Sequence, residues 1–595
     1  MSTYQAPVRD MLFDLEHLAG IDAIAELPGF DDANLETAAA VLEECARFNQ
    51  DVIAPLNRDG DLQPSTLRDG VVTTSPGFAD AFRQFASGGW QGLQHPSAYG
   101  GQGLPKAIGA ACMEMLNSAN LSFALCPLLS DGAIEALLTA GSGEQQQRYI
   151  PHLISGRWTG TMNLTEPQAG SDLALVRSRA QPQPDGSYRI FGQKIFITFG
   201  EHDMAENIVH LVLARLPDAP PGVKGISLFV VPKVLADGRR NDVWCASIEH
   251  KLGIKASPTA VLVYGDDKGE VGAGAIGELI GEANRGLEYM FIMMNAARYA
   301  VGLQGVAVAE RAYQKAAAYA RDRVQSRPVD GSSVDAVAIV HHPDVRRMLM
   351  TMRALTEGAR ALALYAAGLH DRGHALPDAQ QRAQARTDYE FFVPLVKGFS
   401  TEIGIEVASL GVQVHGGMGF IEETGAAQYY RDARILTIYE GTTAIQANDL
   451  VGRKTARDGG AQASRLVADV TATRDALAAR AEPGAQALAA RLGDALRAYQ
   501  DVVGFVAGHA RSAPNAAYAG SVPYLMLAGY LAAGWQLARG WLATQQLGAD
   551  DAGFAQAKRT TAEFFGAHLL PRCGALRDAV LFGADSVMAL PAETF

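Results

Sequence analysis

The chain has 595 residues and a mass of 63.1 kDa, more than one typical domain, so the length predicts several hydrophobic cores. Hydrophobic residues make up 48% and charged residues 19% of the chain, which excludes a disordered, collagen-like or coiled-coil protein. The net charge of -13, without a basic run at either end, argues against nucleic acid as a partner.

The cysteines and the first residues indicate the compartment. Five cysteines lie far apart, without a CxxC pair or a nearby histidine cluster, so the sequence predicts no metal site and a reducing environment. The first fifteen residues already include acidic side chains, and they lack the cationic stretch and the apolar stretch of a secretory signal. We therefore expect a cytoplasmic protein.

Helical spacing of apolar residues begins near Asn34 and predicts an α-rich first domain. It is interrupted at 95–105, where prolines and glycines exclude a continuous helix and indicate an ordered loop. The glycine spacing there does not fit a dinucleotide-binding turn, and no strand pattern precedes it.

Between residues 159 and 281 the hydrophobic period changes to two. The strongest strand patterns lie at 188–198, 208–214, 226–231 and 260–264. Because these runs are short and separated by turn residues, we expect a compact antiparallel β domain of sandwich or barrel type.

Helical patterns return after Gly286, and they are strongest at 287–323, 343–372, 379–414 and 444–454. Residues 456–463, with two consecutive glycines, predict a linker to a last helical block. The apolar stretch 522–538 is interrupted by proline, glycine and glutamine, so we expect a buried helix there and no membrane contact.

Four segments carry candidate chemistry. In 161–172, Thr165, Ser171 and the amides around Gly170 suit a flat polar ring or a phosphate. A capped loop between a helix and a strand explains that segment equally well.

The next two segments are weaker alone. In 192–198, Phe196 can cover one face of a ring while Thr198 offers a hydroxyl at its edge. In 413–420, Gly416 and Gly417 allow close approach of the backbone to a ligand, although a helix-ending turn explains them too.

The fourth segment, 431–446, contains Glu440 after an apolar run and before a Gly-Thr pair. Partial desolvation there would raise the pKa of the carboxylate toward that of a useful base. Alternatively, Thr442 caps a helix and Glu440 only favours its dipole.

Taken together, the order and spacing of these segments resemble the acyl-CoA dehydrogenase family. The resemblance covers about residues 36–455. The residues that carry it are Tyr99-Gly-Gly-Gln-Gly103, Thr165-Glu-Pro, Gly170-Ser-Asp172, Gly192-Gln-Lys194, Lys251-Leu-Gly-Ile-Lys255-Ala-Ser and Arg431-Asp432.

The resemblance implies a mainly α, α+β fold, with FAD held between a β-barrel and a four-helix bundle and across a subunit interface. The expected parts are an N-terminal extension (1–35), a helical domain (36–158), a β-barrel (159–281), a four-helix bundle (282–455) and an additional C-terminal helical domain (456–595).

The resemblance also implies a reaction: Glu440 takes the α-proton of an acyl-CoA thioester while the β-hydrogen leaves as hydride to flavin N5. The implied FAD contacts are Met162, Leu164, Thr165, Gly170, Ser171, Phe196, Ile197, Thr198 and Thr442. Arg323, Gln413, Gly416 and Gly417 are implied to reach the diphosphate of the neighbouring subunit's FAD. The implied substrate contacts are Ser171, Asn295, Arg298, Tyr439 and Gly441.

Some positions depart from the family pattern. Relatives that place the base on an earlier helix carry it at the position matching Ala297, which has no carboxylate. An aromatic-glycine pair expected after Arg323 is replaced by a longer polar loop, and Ala444 replaces a common glutamine. At these two places the sequence therefore does not match the residues that make diphosphate and cofactor contacts in the family.

The extension and the C-terminal block are similar to a larger bacterial subgroup that includes 3-methylmercaptopropionyl-CoA dehydrogenases and enzymes of longer straight chains. Electron-transferring flavoprotein as acceptor and a homodimer or dimer of dimers are implied by the family.

Three other functions compete: an acyl-CoA oxidase, a membrane-docked very-long-chain enzyme, and a DNA-associated relative. The last needs a cationic tail, whereas residues 456–595 contain twelve basic and twelve acidic side chains.

Overall fold

The structure, a computed structural model, describes residues 4–595. These residues form two compact units. The first unit contains the chain up to Arg47, Pro105–Ser118 and Arg298–Phe595, and the second contains Phe48–Leu104 and Ala119–Ala297.

Helices form most of the chain. In order they are α1 Val8–Asp14, α2 Ile21–Ala25, α3 Leu35–Phe48, α4 Leu56–Leu62, α5 Phe78–Ser87, α6 Lys106–Ala119, α7 Leu121–Ala140, α8 Gly143–Ile154, α9 Gly286–Asp322, α10 Pro343–Ala375, α11 Ala379–His415, α12 Ala426–Ala433, α13 Thr443–Val451, α14 Ala461–Ala478, α15 Pro483–His509, α16 Pro514–Ala519, α17 Ser521–Ala543, α18 Ala552–His568, α19 Arg572–Phe582 and α20 Ala584–Val587.

The strands lie mainly between α8 and α9. They are β1 Thr66–Arg68, β2 Val71–Thr73, β3 Trp158–Asn163, β4 Arg179–Pro182, β5 Tyr188–Thr198, β6 Asn207–Ala214, β7 Ser227–Pro232, β8 Val243–Ile248, β9 Thr259–Tyr264 and β10 Ala275–Ile280. The large sheet runs β3-β6-β7-β10-β5-β9-β8, with β4 beside β5.

The β domain of the second unit encloses its own core. Ile190, Ile197, Phe229 and Leu262 are buried there with other apolar side chains of the same strands. The expectation of a wholly antiparallel domain is wrong, because β3 pairs with β6 in parallel, Trp158 opposite Asn207. Both strands run the same way because the chain between them crosses the sheet through β4 and β5 instead of turning back in a hairpin.

In the first unit, long helices cross at glycines. A Cβ at Gly398 of α11 would lie 2.4 Å from Leu525 of α17, and one at Gly529 of α17 would lie 2.4 Å from Phe399 of α11. Such close contact places α17 directly against α11, so the C-terminal helices are part of the same hydrophobic core.

The N-terminal extension packs on the C-terminal helices within this unit. Phe13 of α1 meets Phe554 of α18 edge to face at 5.6 Å. Lys558 of α18 pairs with Asp10 at 2.6 Å. The two ends of the chain, predicted as separate additions, therefore stabilise each other.

The predicted linker is short and ordered. The chain passes from α13 through a π-helical segment, Gly452–Ala456, and a turn at 457–460 to α14, which begins inside the predicted linker at Ala461. The Asp458 carboxylate accepts from the main-chain N–H groups of Gly460 (3.0 Å) and Gln462 (2.9 Å). The apolar stretch at 522–538 lies in the buried α17, as expected. By length and composition alone, one described helix, α7, could cross a membrane, and 83% of its most apolar window is buried.

Candidate active site

The segment that carries Glu440 lies between two helices. After α12 the chain makes a 3-10 turn, Arg434–Thr437, and then the turn that contains Glu440. The Thr442 hydroxyl accepts from Ile445 N at 3.3 Å and so begins α13. The cap predicted from sequence is therefore present, and the Glu440 turn ends at it.

Glu440 adopts a left-handed backbone conformation, with φ of +53°, and Gly441 follows with φ of +84°. The Gln446 amide donates to both carbonyls, Glu440 O and Gly441 O, at 3.3 Å each. The Tyr439 hydroxyl donates to Gln304 Oε1 on α9. A non-glycine residue with positive φ costs about 1 kcal/mol or more, so these contacts hold the turn in an otherwise unfavourable shape.

Two cations lie near the Glu440 carboxylate. Burial raises its pKa above the usual value, while the charges of Lys397 and Arg298 act in the opposite direction. Arg298 is itself buried and lies 3.8 Å from Asp449 on α13. Glu440 remains partly exposed. Desolvation combined with partial access is what a carboxylate needs to take a proton near neutral pH.

A second part of the first unit forms a cavity of 590 Å³. It is lined by Arg323, Gln413, Gly416 and Gly417, among others. A side chain at either glycine would meet nothing within 4 Å, so the main chain is open to the cavity. The structure thus brings together four predicted cofactor contacts. Although the loop after Arg323 differs from the family pattern, Arg323 itself still lines the cavity.

His415 also lines this cavity, but its ring is engaged by the protein. It stacks on Tyr319 with centroids 4.4 Å apart, and Nδ1 lies 2.7 Å from Gly411 O. Burial lowers its pKa. These contacts agree with a packing role.

In the second unit, a bulge in β5 exposes Phe196. The pairing of β5 with β9 shifts register between Lys194 and Ile197, and Phe196 takes a φ of +59° and is 59% exposed. Ile195 N donates to Thr165 O at 2.9 Å. The predicted Thr165 and Phe196 therefore lie on adjoining segments, and Thr198 ends the same strand.

The remaining predicted contacts of this unit differ in accessibility. Gly170 and Ser171 are exposed and Leu164 and Asn295 are half-buried, whereas Met162 is 7% and Ile197 2% exposed. Because the Ile197 side chain belongs to the β-domain core, only its main-chain groups are available to a ligand. No cluster of three or more His, Cys, Asp or Glu side chains that could hold a metal ion occurs in residues 4–595.

A buried ion pair organises the loop after β3. Lys194 Nζ lies 2.8 Å from Glu166 Oε1 and donates to Leu164 O at 3.0 Å. Glu166 also accepts from the main chain at Arg177 (2.7 Å) and Ser178 (3.1 Å). One carboxylate and one ammonium thus fix both ends of the loop that carries Thr165, Gly170 and Ser171.

Lys397 and Gln446 contact the Glu440 turn and were not predicted. Lys397 stands alone in the apolar run Phe391-Phe-Val-Pro-Leu-Val-Lys-Gly-Phe399. A lone lysine inside such a run is the available signal, because lysine is almost never fully buried without partners.

Four family models match the chain in succession. They are described as acyl-CoA dehydrogenase N-terminal domain (residues 35–157), middle domain (161–266), C-terminal domain (284–454), and acetyl-CoA dehydrogenase C-terminal like (466–591).

Characterised relatives are similar over the whole length. The 3-methylmercaptopropionyl-CoA dehydrogenase of Ruegeria pomeroyi is 56% identical, covering 98% of this chain and 99% of its own. The broad-specificity linear acyl-CoA dehydrogenase of Mycobacterium tuberculosis is 35% identical over 100% of both chains.

The fold is also that of a solved acyl-CoA dehydrogenase complexed with FAD from Bacillus anthracis, with a TM-score of 0.74 at 23% identity, covering 94% of this chain and 90% of that one. The predicted order of helical domain, β-barrel and helical domains is confirmed by these likenesses. The chain therefore belongs to the acyl-CoA dehydrogenase family of FAD-dependent oxidoreductases.

Proposed function

We propose that Glu440 is the base that removes the α-proton of the acyl-CoA substrate. The observation that supports this most strongly is a partly exposed carboxylate whose pKa is raised by burial. It sits in a turn held by side chains from three helices, Gln304, Lys397 and Gln446.

The α-proton of a thioester is too weakly acidic to pass to a carboxylate unless the developing enolate charge is stabilised. Among residues 4–595, no main-chain carbonyl accepts a hydrogen bond from the Glu440 main-chain N–H. We assign this N–H as a donor to the thioester carbonyl oxygen. The same residue then supplies both the proton acceptor and one charge-stabilising donor, which fixes the substrate between them.

The residues fit FAD. The cavity at Arg323 and Gln413 offers a guanidinium, an amide and open glycine backbone, which suit a diphosphate. The exposed Phe196 and the hydroxyls of Thr165 and Thr198 suit a flat polar ring. FAD, when bound, supplies the acceptor for the hydride that leaves the substrate β-carbon. The FAD contacts that the family resemblance implies, with Thr442 beside the base, are part of this proposal.

For the substrate, we infer a short thioether acyl group, 3-methylmercaptopropionyl-CoA, from 56% identity to the Ruegeria enzyme of that name. The Mycobacterium relative, at 35%, is named as a broad-specificity linear acyl-CoA dehydrogenase and supports a linear acyl-CoA as the alternative. Ser171, Asn295, Arg298, Tyr439 and Gly441 are the proposed substrate contacts.

The substrate is tested by anaerobic bleaching of the bound flavin with a panel of acyl-CoA esters. We expect 3-methylmercaptopropionyl-CoA to give the highest second-order rate constant for reduction. A higher value for a linear acyl-CoA would make the linear substrate the physiological class. Peroxide release during aerobic turnover at the rate of substrate loss would instead identify an oxidase.

The base is tested with Glu440→Gln. We expect FAD to remain bound and the rate of reduction by substrate to fall by at least about 10²-fold, since general base catalysis contributes this much or more. The matched control is Glu43→Gln, an exposed carboxylate on α3. Wild-type reduction by Glu440→Gln would place the base elsewhere.

We further propose a cytoplasmic enzyme that passes its electrons to electron-transferring flavoprotein and assembles as a homodimer or a dimer of dimers. The five buried free thiols suit a reducing compartment. Light scattering of the purified holoenzyme measures the assembly directly.

A further inference from the structure

Lys397 lies inside the first unit with no exposed surface. It projects from the middle of α11 toward the Glu440 turn. Its ammonium donates to Leu436 O at 2.8 Å and to Gly441 O at 2.7 Å. Leu436 is in the 3-10 turn before Glu440, and Gly441 follows it. One side chain thus joins the two ends of segment 436–441.

Segment 436–441 depends on contacts with other parts of the chain to keep its conformation. Two successive residues, Glu440 and Gly441, have positive φ, and the turn makes no helix or strand hydrogen bonds of its own at these positions. A misplacement of about 1 Å at a base can cost about 10²-fold in rate. The contacts that fix segment 436–441 therefore bear directly on where the carboxylate stands.

The charges around Lys397 link it to the same carboxylate. Burial lowers the pKa of Lys397 to about 8, with Glu440 and Glu402 acting to raise it and Arg298 to lower it. The Thr443 hydroxyl donates a hydrogen bond to Glu402 at 2.5 Å, and Arg298 forms an ion pair with Asp449 at 3.8 Å. A buried ammonium is expensive to desolvate, and this one directs two of its donors to main-chain carbonyls of the base segment.

We propose that Lys397 is a positioning residue that clamps segment 436–441 and, by its charge, favours the ionised form of Glu440. This inference rests on the proposed role of Glu440 as the base. Lys397 does not touch the substrate in this scheme. It acts through the backbone that it holds and through the field that it exerts on the neighbouring carboxylate.

The test compares three FAD-loaded variants with the wild type. Lys397→Met removes the charge and both hydrogen bonds, and Lys397→Gln restores a donor without charge. Lys558→Met removes another buried lysine of the same unit, one that pairs with Asp10 and Glu357 away from the base segment. Two readouts are taken: amide hydrogen exchange over 436–442, and the pH dependence of flavin reduction by acyl-CoA.

We expect Lys397→Met to exchange faster over 436–442, to reduce its flavin at least about tenfold more slowly, and to shift the midpoint of the pH profile upward. Lys397→Gln should recover part of the rate of flavin reduction but keep the shifted midpoint of the pH profile. If Lys397→Met does not fold, the two readouts of Lys397→Gln test the proposal instead. Lys558→Met should lower the melting temperature without altering either readout.

The inference is overturned if a folded Lys397 variant shows wild-type exchange over 436–442 and an unshifted pH midpoint. Glu440→Gln separates this failure from that of the base assignment. If Glu440→Gln loses reduction while the Lys397 variants keep the wild-type profile, only the positioning role fails. If Glu440→Gln keeps reduction, the base itself is wrong.

Discussion

Glu440 and Gly441 illustrate how backbone conformation and chemistry coincide at one turn. Glutamate rarely adopts positive φ, because its Cβ then crowds the following carbonyl. Here the strained residue is also the one proposed to take the proton. Such strain persists only where surrounding contacts hold the conformation in place. Here Lys397 of α11 donates a hydrogen bond to Gly441 O, and Gln446 of α13 donates one to Glu440 O.

Gly441 is therefore the position where the smallest change should disturb the proposed base. With φ of +84°, an alanine is strained, and its Cβ would lie 2.8 Å from Gln446 Nε2. We expect Gly441→Ala to retain FAD, to lose about 1 kcal/mol of unfolding free energy, and to reduce its flavin roughly 10–100-fold more slowly. Stopped-flow reduction and urea unfolding measure the two effects.

Gly504→Ala is the matched control for this substitution. Gly504 lies on an exposed face of α15, without positive φ, and a Cβ there would meet nothing within 4 Å. Alanine should stabilise that helix by about 0.5–1 kcal/mol and leave reduction unchanged. If Gly441→Ala behaved in the same way, the left-handed turn would not be needed to place the carboxylate.

Local sequence patterns suggest Glu440 as the candidate base but do not predict the residues that hold its turn. A carboxylate between an apolar run and a Gly-Thr pair is a local pattern, and Thr442 as a cap is equally local. Lys397 lies far earlier in the chain, on another helix, α11. Its contacts depend on tertiary packing, which helical periodicity does not report.

Among the secondary-structure elements, β5 and the loop after β3 carry most of the second unit's predicted contacts. Burial acts to raise the pKa of Glu166, but the Lys194 charge and the hydrogen bonds from Arg177 and Ser178 outweigh it and lower that pKa to about 2. Full burial lowers the pKa of Lys194 to about 8 despite Glu166. The carboxylate has several donors besides the lysine, whereas the lysine has fewer compensating partners.

We expect loss of either charge alone to disturb the loop more than loss of both. Breaking a buried ion pair on one side costs roughly 3–5 kcal/mol, because the other charge is left without compensation. Lys194→Met should therefore destabilise the protein and release FAD, and adding Glu166→Gln should restore part of both. Denaturant unfolding and the flavin-to-protein absorbance ratio of the four proteins form the double-mutant cycle.

The reference for this cycle is Arg157→Met with Glu206→Gln, an exposed pair of the same unit whose nitrogen and oxygen lie 2.9 Å apart. Exposed pairs contribute little to stability because water and salt screen them, so this cycle should show little coupling. Equal coupling in both cycles would contradict a special role for the buried pair.

Element positions were largely predictable, whereas one pairing was not. The period-two runs and the long helical runs coincide with β5, β6, β9, α10 and α11 to within a few residues. The parallel pairing of β3 with β6 was missed, since alternation specifies which face is buried but not the direction of the neighbouring strand. Direction is decided by the path of the connecting chain.

Considered as a whole, the first unit contains an extended network of buried charges. Arg360 of α10 pairs with Glu114 of α6 at 2.6 Å and with Glu310 of α9 at 2.7 Å. Lys558 of α18 pairs with Asp10 and Glu357. These ions connect the N-terminal extension, the long helices and the C-terminal block. The sequence could not predict this network, because the sequence around each residue only indicates a charged side chain on the surface of a helix.

Asp14 is a buried carboxylate of this region that should make stability depend on pH. It is 3% exposed, and burial raises its pKa from 3.8 to about 7, although Lys558 and Arg360 oppose the shift. Between these two pH values the unfolded chain has released the proton while the folded chain still holds it. Stability from this group is therefore full below pH 3.8 and decreases as pH rises to about 7.

Asp14→Asn removes the titration and keeps the shape. We expect the unfolding free energy of the variant, relative to wild type, to increase by up to about 4 kcal/mol between about pH 4 and about pH 8, the equivalent of the raised pKa. Urea unfolding at a series of pH values measures the difference. Glu16→Gln, which changes an exposed carboxylate two residues later, is the matched control variant. A flat difference for Asp14→Asn would mean that Asp14 is ionised in the folded protein at acidic pH, paired with Lys558 across the contact between the N-terminal segment and α18.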